Sequence, residues 1–90
     1  MAVVAVTIKL MPVSPSVDLI KIKSDAEKII KELDAYLHSV KQEPIAFGLN
    51  ALIFIVGWKE GKDPDMLEQE LGKIKNVQSV EVTDVRRAIG

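Results

Sequence analysis

The 90-residue chain has no cysteine. That excludes disulfides, thiolate catalysis and zinc ribbons, and it suits a reducing cytoplasm. His38 is the one histidine, and no second ligand is spaced to complete a metal site with it. Neither sign of charge dominates: 12 Lys and Arg face 13 Asp and Glu, a formal net charge of −1. Such a balance argues against a partner held mainly through phosphates. Long apolar runs are missing too. The longest, residues 49–58, is broken by Asn50 and Gly57 and falls short of a membrane span, so no membrane partner is expected. The first ten residues have no basic stretch before their apolar ones and no convincing cleavage site, which argues against a signal peptide. Low-complexity stretches, linkers and solenoid-period repeats are also lacking.

What is present is 48% apolar and 28% charged residues, the balance of one folded domain over residues 1–90. Residues 2–11 alternate, with Val4, Val6, Ile8 and Leu10 on one side, and predict a strand with one buried face. Pro12, Ser14, Pro15 and Ser16 end it and offer caps for the next element. Over 17–36 the period becomes helical, and Leu19, Ile22, Ala26, Ile29, Ile30 and Leu33 form the apolar stripe. Residues 37–45 read as an edge strand, because Pro44 lacks a ladder donor. After a break at Phe47-Gly48, residues 49–58 form a strand apolar on both faces, as suits the middle of a sheet.

A turn over 59–62 leads to Asp63-Pro64-Asp65, a strong helix start. Leu67, Leu71 and Ile74 supply its buried stripe, and the helix is expected to end near Lys75-Asn76. Residues 77–85 form the last strand. There Asp84 takes the apolar phase and Val85 slips it by one, which predicts a bulge or the end of pairing.

Strand, helix, strand, strand, helix, strand is the order of an α+β fold of ferredoxin-like type, βαββαβ. Its four-stranded antiparallel sheet carries two helices on one face, with the first and third strands central. Two layers cover only one face of the sheet, so the third strand's surplus of apolar residues predicts an apolar patch on the open face.

Little in the chain resembles a catalytic constellation. Glu60, Asp63, Asp65 and Glu68 cluster near a turn without the ligand alternation of a calcium loop. Gly57, Gly61 and Gly72 form no phosphate cradle, and Ser14 and Ser16 read as turn residues. For an RNA-recognition sheet only Phe54 and Trp58 are available, with no basic flank. No cofactor site, enzymatic activity or direct nucleic-acid contact is therefore expected. A regulatory or dimerisation module using the open sheet face remains an alternative.

The blocks EPIAFGLNAL at 43–52, DPDMLEQEL at 63–71 and VQSVEVTDVRR at 77–87, with VAVTIKLMP at 4–12, carry a resemblance across the whole chain. It resembles the elongation factor 1-beta family, in the short archaeal form that consists of the exchange domain alone. That resemblance implies a guanine nucleotide exchange factor for elongation factor 1-alpha, the GTPase that delivers aminoacyl-tRNA. It further implies that Phe47, followed by Gly48, supplies the ring that eukaryotic members insert into the GTPase's nucleotide domain. Arg87 falls where those members carry a lysine that reaches the magnesium site. Guanidinium is planar and bulkier than ammonium, and the adjacent Arg86 is a second candidate for that role. Taken alone, a Phe before glycine reads as loop packing and terminal arginines as solvated.

Overall fold

The alternation of β1 (Val3–Pro12) puts Val6, Ile8 and Leu10 on one face, where each is fully buried. The computed structural model describes residues 3–87; residue 2 of the expected first strand and residues 88–90 of the tail lie outside them. After β1 come α1 (Leu19–Glu32), β2 (Tyr36–Pro44), a 3-10 turn at Ala46–Gly48, β3 (Asn50–Lys59), α2 (Asp65–Leu71) and β4 (Val77–Arg87). The strands form one antiparallel sheet in the order β2-β3-β1-β4. This is the ferredoxin-like arrangement, with β1 and β3 central as their apolar content requires. Phe54, Val56 and Trp58 of β3 join the β1 residues, and Ile22, Ala26 and Ile30 of α1 with Leu67, Leu71 and Ile74 cover them.

Both helices are shorter than their periodicity suggests, for local reasons. Helix α1 is capped by Asp18, not by the serines before it: Asp18 Oδ1 accepts from the N–H groups of Ile20 at 3.0 Å and Lys21 at 3.4 Å. The Ser14 and Ser16 hydroxyls bond each other instead. At its other end Asp34 adopts φ 61°, and the Asp34 and Ala35 N–H groups bond back to Lys31 and Ile30. That left-handed closure stops the helix and frees Tyr36 for β2. In α2 the expected capping by Asp63 is present, its Oδ1 accepting from Asp65 N–H at 2.9 Å. Beyond Leu71 the chain turns more tightly, with Lys73 and Ile74 bonding three residues back. Gly72 is a weak helix former, and Asn76 at φ 70° directs the chain into β4.

The phase slip expected in β4 is a bulge at Thr83. Ile8 pairs with Val82 and Thr7 with Asp84, leaving Thr83 extra. A straight strand would have set Asp84 against buried Val6; the bulge brings Val85 there and turns Asp84 to the open face opposite Thr7. Beside it, α2 covers the sheet edge, and Glu68 Oε2 accepts from Val82 N–H at 2.8 Å. Glu68→Ala leaves this half-buried donor without its charged acceptor, a loss of about 1.5–3 kcal/mol. The thermal midpoint is expected to fall by at least about 5 °C, and Glu68→Gln, which keeps an acceptor oxygen, less. Melting of Glu68→Ala with the wild type would show that the edge bond contributes nothing.

The open face is less apolar than the sequence suggests. Ile53 is only 9% exposed, because its register neighbours are Lys9 and Lys41, whose long aliphatic stems can flank it. Ala51 and Gly57 add little side chain. The Tyr36 ring of the neighbouring strand lies where a Cβ on Gly57 would stand. Among the described residues, Tyr36 is the strongly exposed large apolar residue of this face, and Ile55 is partly exposed there.

Candidate functional site

The hairpin joining β2 to β3 closes through two backbone bonds, Ile45 N–H to Leu49 O at 2.8 Å and Leu49 N–H to Ala46 O at 3.3 Å. Phe47 and Gly48 both take positive φ, 63° and 75°. Glycine reaches that region freely, whereas for a bulky side chain it is an outlier that costs about 1–2 kcal/mol. The loop nevertheless holds Phe47 there with 93% of its surface exposed. A strained aromatic aimed into solvent contributes nothing to the core; its cost is understandable if the ring binds something else. Val13 and Ile20, also exposed, follow β1 and open α1 at this same end of the sheet. Ile20 is 79% exposed, and nothing in the helical stripe distinguished it in advance.

The arginines lie at the other end. Arg86 pairs in register with Ala5, on the open face, and its Nε meets Asp84 Oδ2 at 2.8 Å. Arg87 pairs with Val4 on the helix side, where Val4 in turn opposes Trp58. Its Nη2 donates to Glu60 Oε1 at 2.9 Å. The bulge at Thr83 decides this division: without it Arg86, not Arg87, would oppose Val4. Glu60 was legible only as a turn residue, since its partner is 27 positions away in the chain.

Strand β3 has ten residues, so its two ends are about 30 Å apart at a rise of about 3.3 Å per residue. Phe47 precedes its start and the arginines flank its end. The sheet therefore does not bring the candidate residues together but holds them apart. Among the described residues, no three His, Cys, Asp or Glu side chains group to hold a metal ion, and none of the helices is long and apolar enough to cross a membrane. A shallow groove of about 450 Å³ between α1 and β2 is lined by Ser24, Glu27, Lys28, Lys31, Tyr36 and Leu37 among others.

The family model described as the EF-1 guanine nucleotide exchange domain matches residues 5–88. The chain belongs to this exchange-factor family. An elongation factor 1-beta of Methanothermobacter thermautotrophicus is 46% identical over 86 residues, which cover 93% of this chain and 94% of that protein. The elongation factor 1-beta of Methanobrevibacter smithii is 44% identical, covering 97% and 98%. That of Methanocaldococcus jannaschii is 35% identical, covering 98% and 100%. The activity is thus guanine nucleotide exchange in translation elongation. An exchange factor acts through the surface it presents to a GTPase. It needs no pocket for a small substrate; it needs a shape that fits one state of a GTPase better than another.

Proposed function

We propose that residues 1–90 work as a single exchange domain on elongation factor 1-alpha in the cytoplasm, replacing GDP by GTP and so regenerating the form that carries aminoacyl-tRNA. The factor makes and breaks no covalent bond, carries no cofactor and touches no nucleic acid directly. It binds the nucleotide-free GTPase more tightly than the nucleotide-bound one. Linkage then requires that it weaken nucleotide binding by the same factor.

The observation that carries this reading is the exposed, strained Phe47 at one end of a rigid sheet whose other end presents Arg87. At about 30 Å, the two cannot both sit beside one magnesium ion. They act at two places on the GTPase. Phe47, with Gly48 allowing the tight backbone beside it, anchors one contact. Arg87 carries positive charge toward the magnesium site, where the ion demands near-octahedral oxygen coordination. A guanidinium there compensates part of the negative charge while spoiling that coordination, and the sheet between the two contacts fixes their spacing. Arg86, turned to the other face and paired with Asp84, contributes general attraction.

The test is release of fluorescent GDP from elongation factor 1-alpha, with and without the full chain. Acceleration that saturates with factor concentration is expected. An unchanged release rate at saturating factor would reject the reading.

A further inference from the structure

We propose that Glu60 is a positioning residue for the exchange reaction, one that orders the Arg87 guanidinium before the GTPase arrives. The inference rests on the role given to Arg87 under the proposed function. The two arginines differ in what holds them. Arg86 pairs with Asp84, two residues back on the same strand and face, a neighbour that any extended strand would provide. Arg87 pairs with a carboxylate from a different element, so its orientation depends on how firmly that element is held.

The element is held firmly. Trp58 is fully buried, and its Nε1–H donates to the Lys62 carbonyl at 3.0 Å. Lys62 N–H closes the turn onto Lys59 O at 3.2 Å. The Lys62 ammonium donates to Leu33 O at the end of α1 at 2.6 Å and lies 4.5 Å from the centre of the Trp58 ring. Glu60 stands inside this turn, which is tied to both the core and α1. The Arg87 side chain, by contrast, is 76% exposed, and among the described residues its one hydrogen bond is to Glu60. The turn fixes the Glu60 backbone, and the Glu60 side chain is shorter and less exposed than that of Arg87, 38% against 76%, so the carboxylate orients the arginine more than the reverse.

Two effects oppose each other when Arg87 engages the GTPase. The Glu60 charge offsets part of the cation's attraction for a negative site. Against this, a long exposed side chain loses rotamer freedom on binding, and a side chain already held loses less. The pair is exposed, so solvent screening keeps the first effect small. It also uses only one guanidinium N–H, leaving four of the five donors for the partner. Pre-ordering is the larger effect, and removing Glu60 slows exchange.

The experiment measures kcat/KM for stimulated GDP release with the full chain. Glu60→Ala is expected to lower it about five-fold at an unchanged thermal midpoint. Glu60→Gln should recover most of that loss, since the amide oxygen accepts the same bond. In an Arg87→Ala background, Glu60→Ala should add no further loss, the non-additivity of two residues acting through one contact. A Glu60→Ala factor as fast as the wild type, or faster, overturns the proposal, as does a full additional loss in the Arg87→Ala background. If Arg87→Ala slows exchange and Glu60→Ala does not, the positioning role alone fails. If Arg87→Ala itself has no effect, the tail's role in exchange fails first.

Discussion

Phe47→Ala is expected to slow stimulated GDP release about 30-fold or more and to leave the thermal midpoint unchanged. The ring is 93% exposed, so truncating it opens no core cavity and removes no packing. An aromatic anchor at an interface, by contrast, commonly costs about 2 kcal/mol or more when truncated. Phe47→Asn separates the two properties further. Asparagine adopts the left-handed region more readily than other non-glycine residues, so the strain at φ 63° should relax. Stability is expected to rise by up to about 1 kcal/mol, or about 4–8 °C in midpoint, while exchange is lost as in the alanine variant. A more stable, inactive protein would show that the strain is retained for binding. Full exchange activity with either variant would place the partner contact elsewhere, with Ile20 and Val13 at the same end the next residues to test.

The tail should show a different dependence. Arg87→Ala is expected to lower exchange about 10-fold or more when magnesium is present, from the loss of charge-assisted hydrogen bonds of about 1.5–3 kcal/mol. When magnesium is chelated beforehand, the defect should shrink to a few-fold at most. If the guanidinium works by disturbing the metal's coordination, chelation has already done that work. Arg87→Lys should keep much of the activity, because it preserves the charge at the same ladder position opposite Val4. Arg86→Ala is the comparison: its side chain leaves the other face of the sheet and pairs with Asp84, so its loss should be small and mainly sensitive to salt. An Arg87 defect of equal size with and without magnesium would leave electrostatic docking as the arginine's whole contribution.

The secondary elements, their order and the central position of β1 and β3 were legible in the sequence because they rest on periodicity. Alternation of Val4, Val6, Ile8 and Leu10 can be read without knowing the partner strand, and so can a strand apolar on both faces. The bulge was legible as a conflict of phase, since Asp84 stood where a straight strand needed an apolar residue. The matching blocks around Phe47 and Arg87 pointed to an exchange factor, and the family match agrees. Helix ends were less legible: Asp18 and Asp34 act through backbone geometry that competes with equally suitable caps nearby.

What only the tertiary structure decided is spatial. The sequence by itself determined that Phe47 lies in a turn and that two arginines follow the last strand, which the structure extends to include them. It did not determine that these stand at opposite ends of a ten-residue strand, since that depends on which strands are neighbours and in which direction they run. Nor did it determine which arginine faces the helices, because a one-residue bulge exchanges the faces of everything beyond it. The open face was legible in part: Ile53 is flanked by Lys9 and Lys41 only once three strands are in register, whereas Ile55 and Tyr36 still line an apolar groove there. The partnership of Glu60 and Arg87 joins residues 27 apart, brought within one hydrogen bond by the pairing of β1 with both β3 and β4. Local periodicity encodes which face of an element is buried; register and chain reversal decide what that face, and each exposed charge, meets.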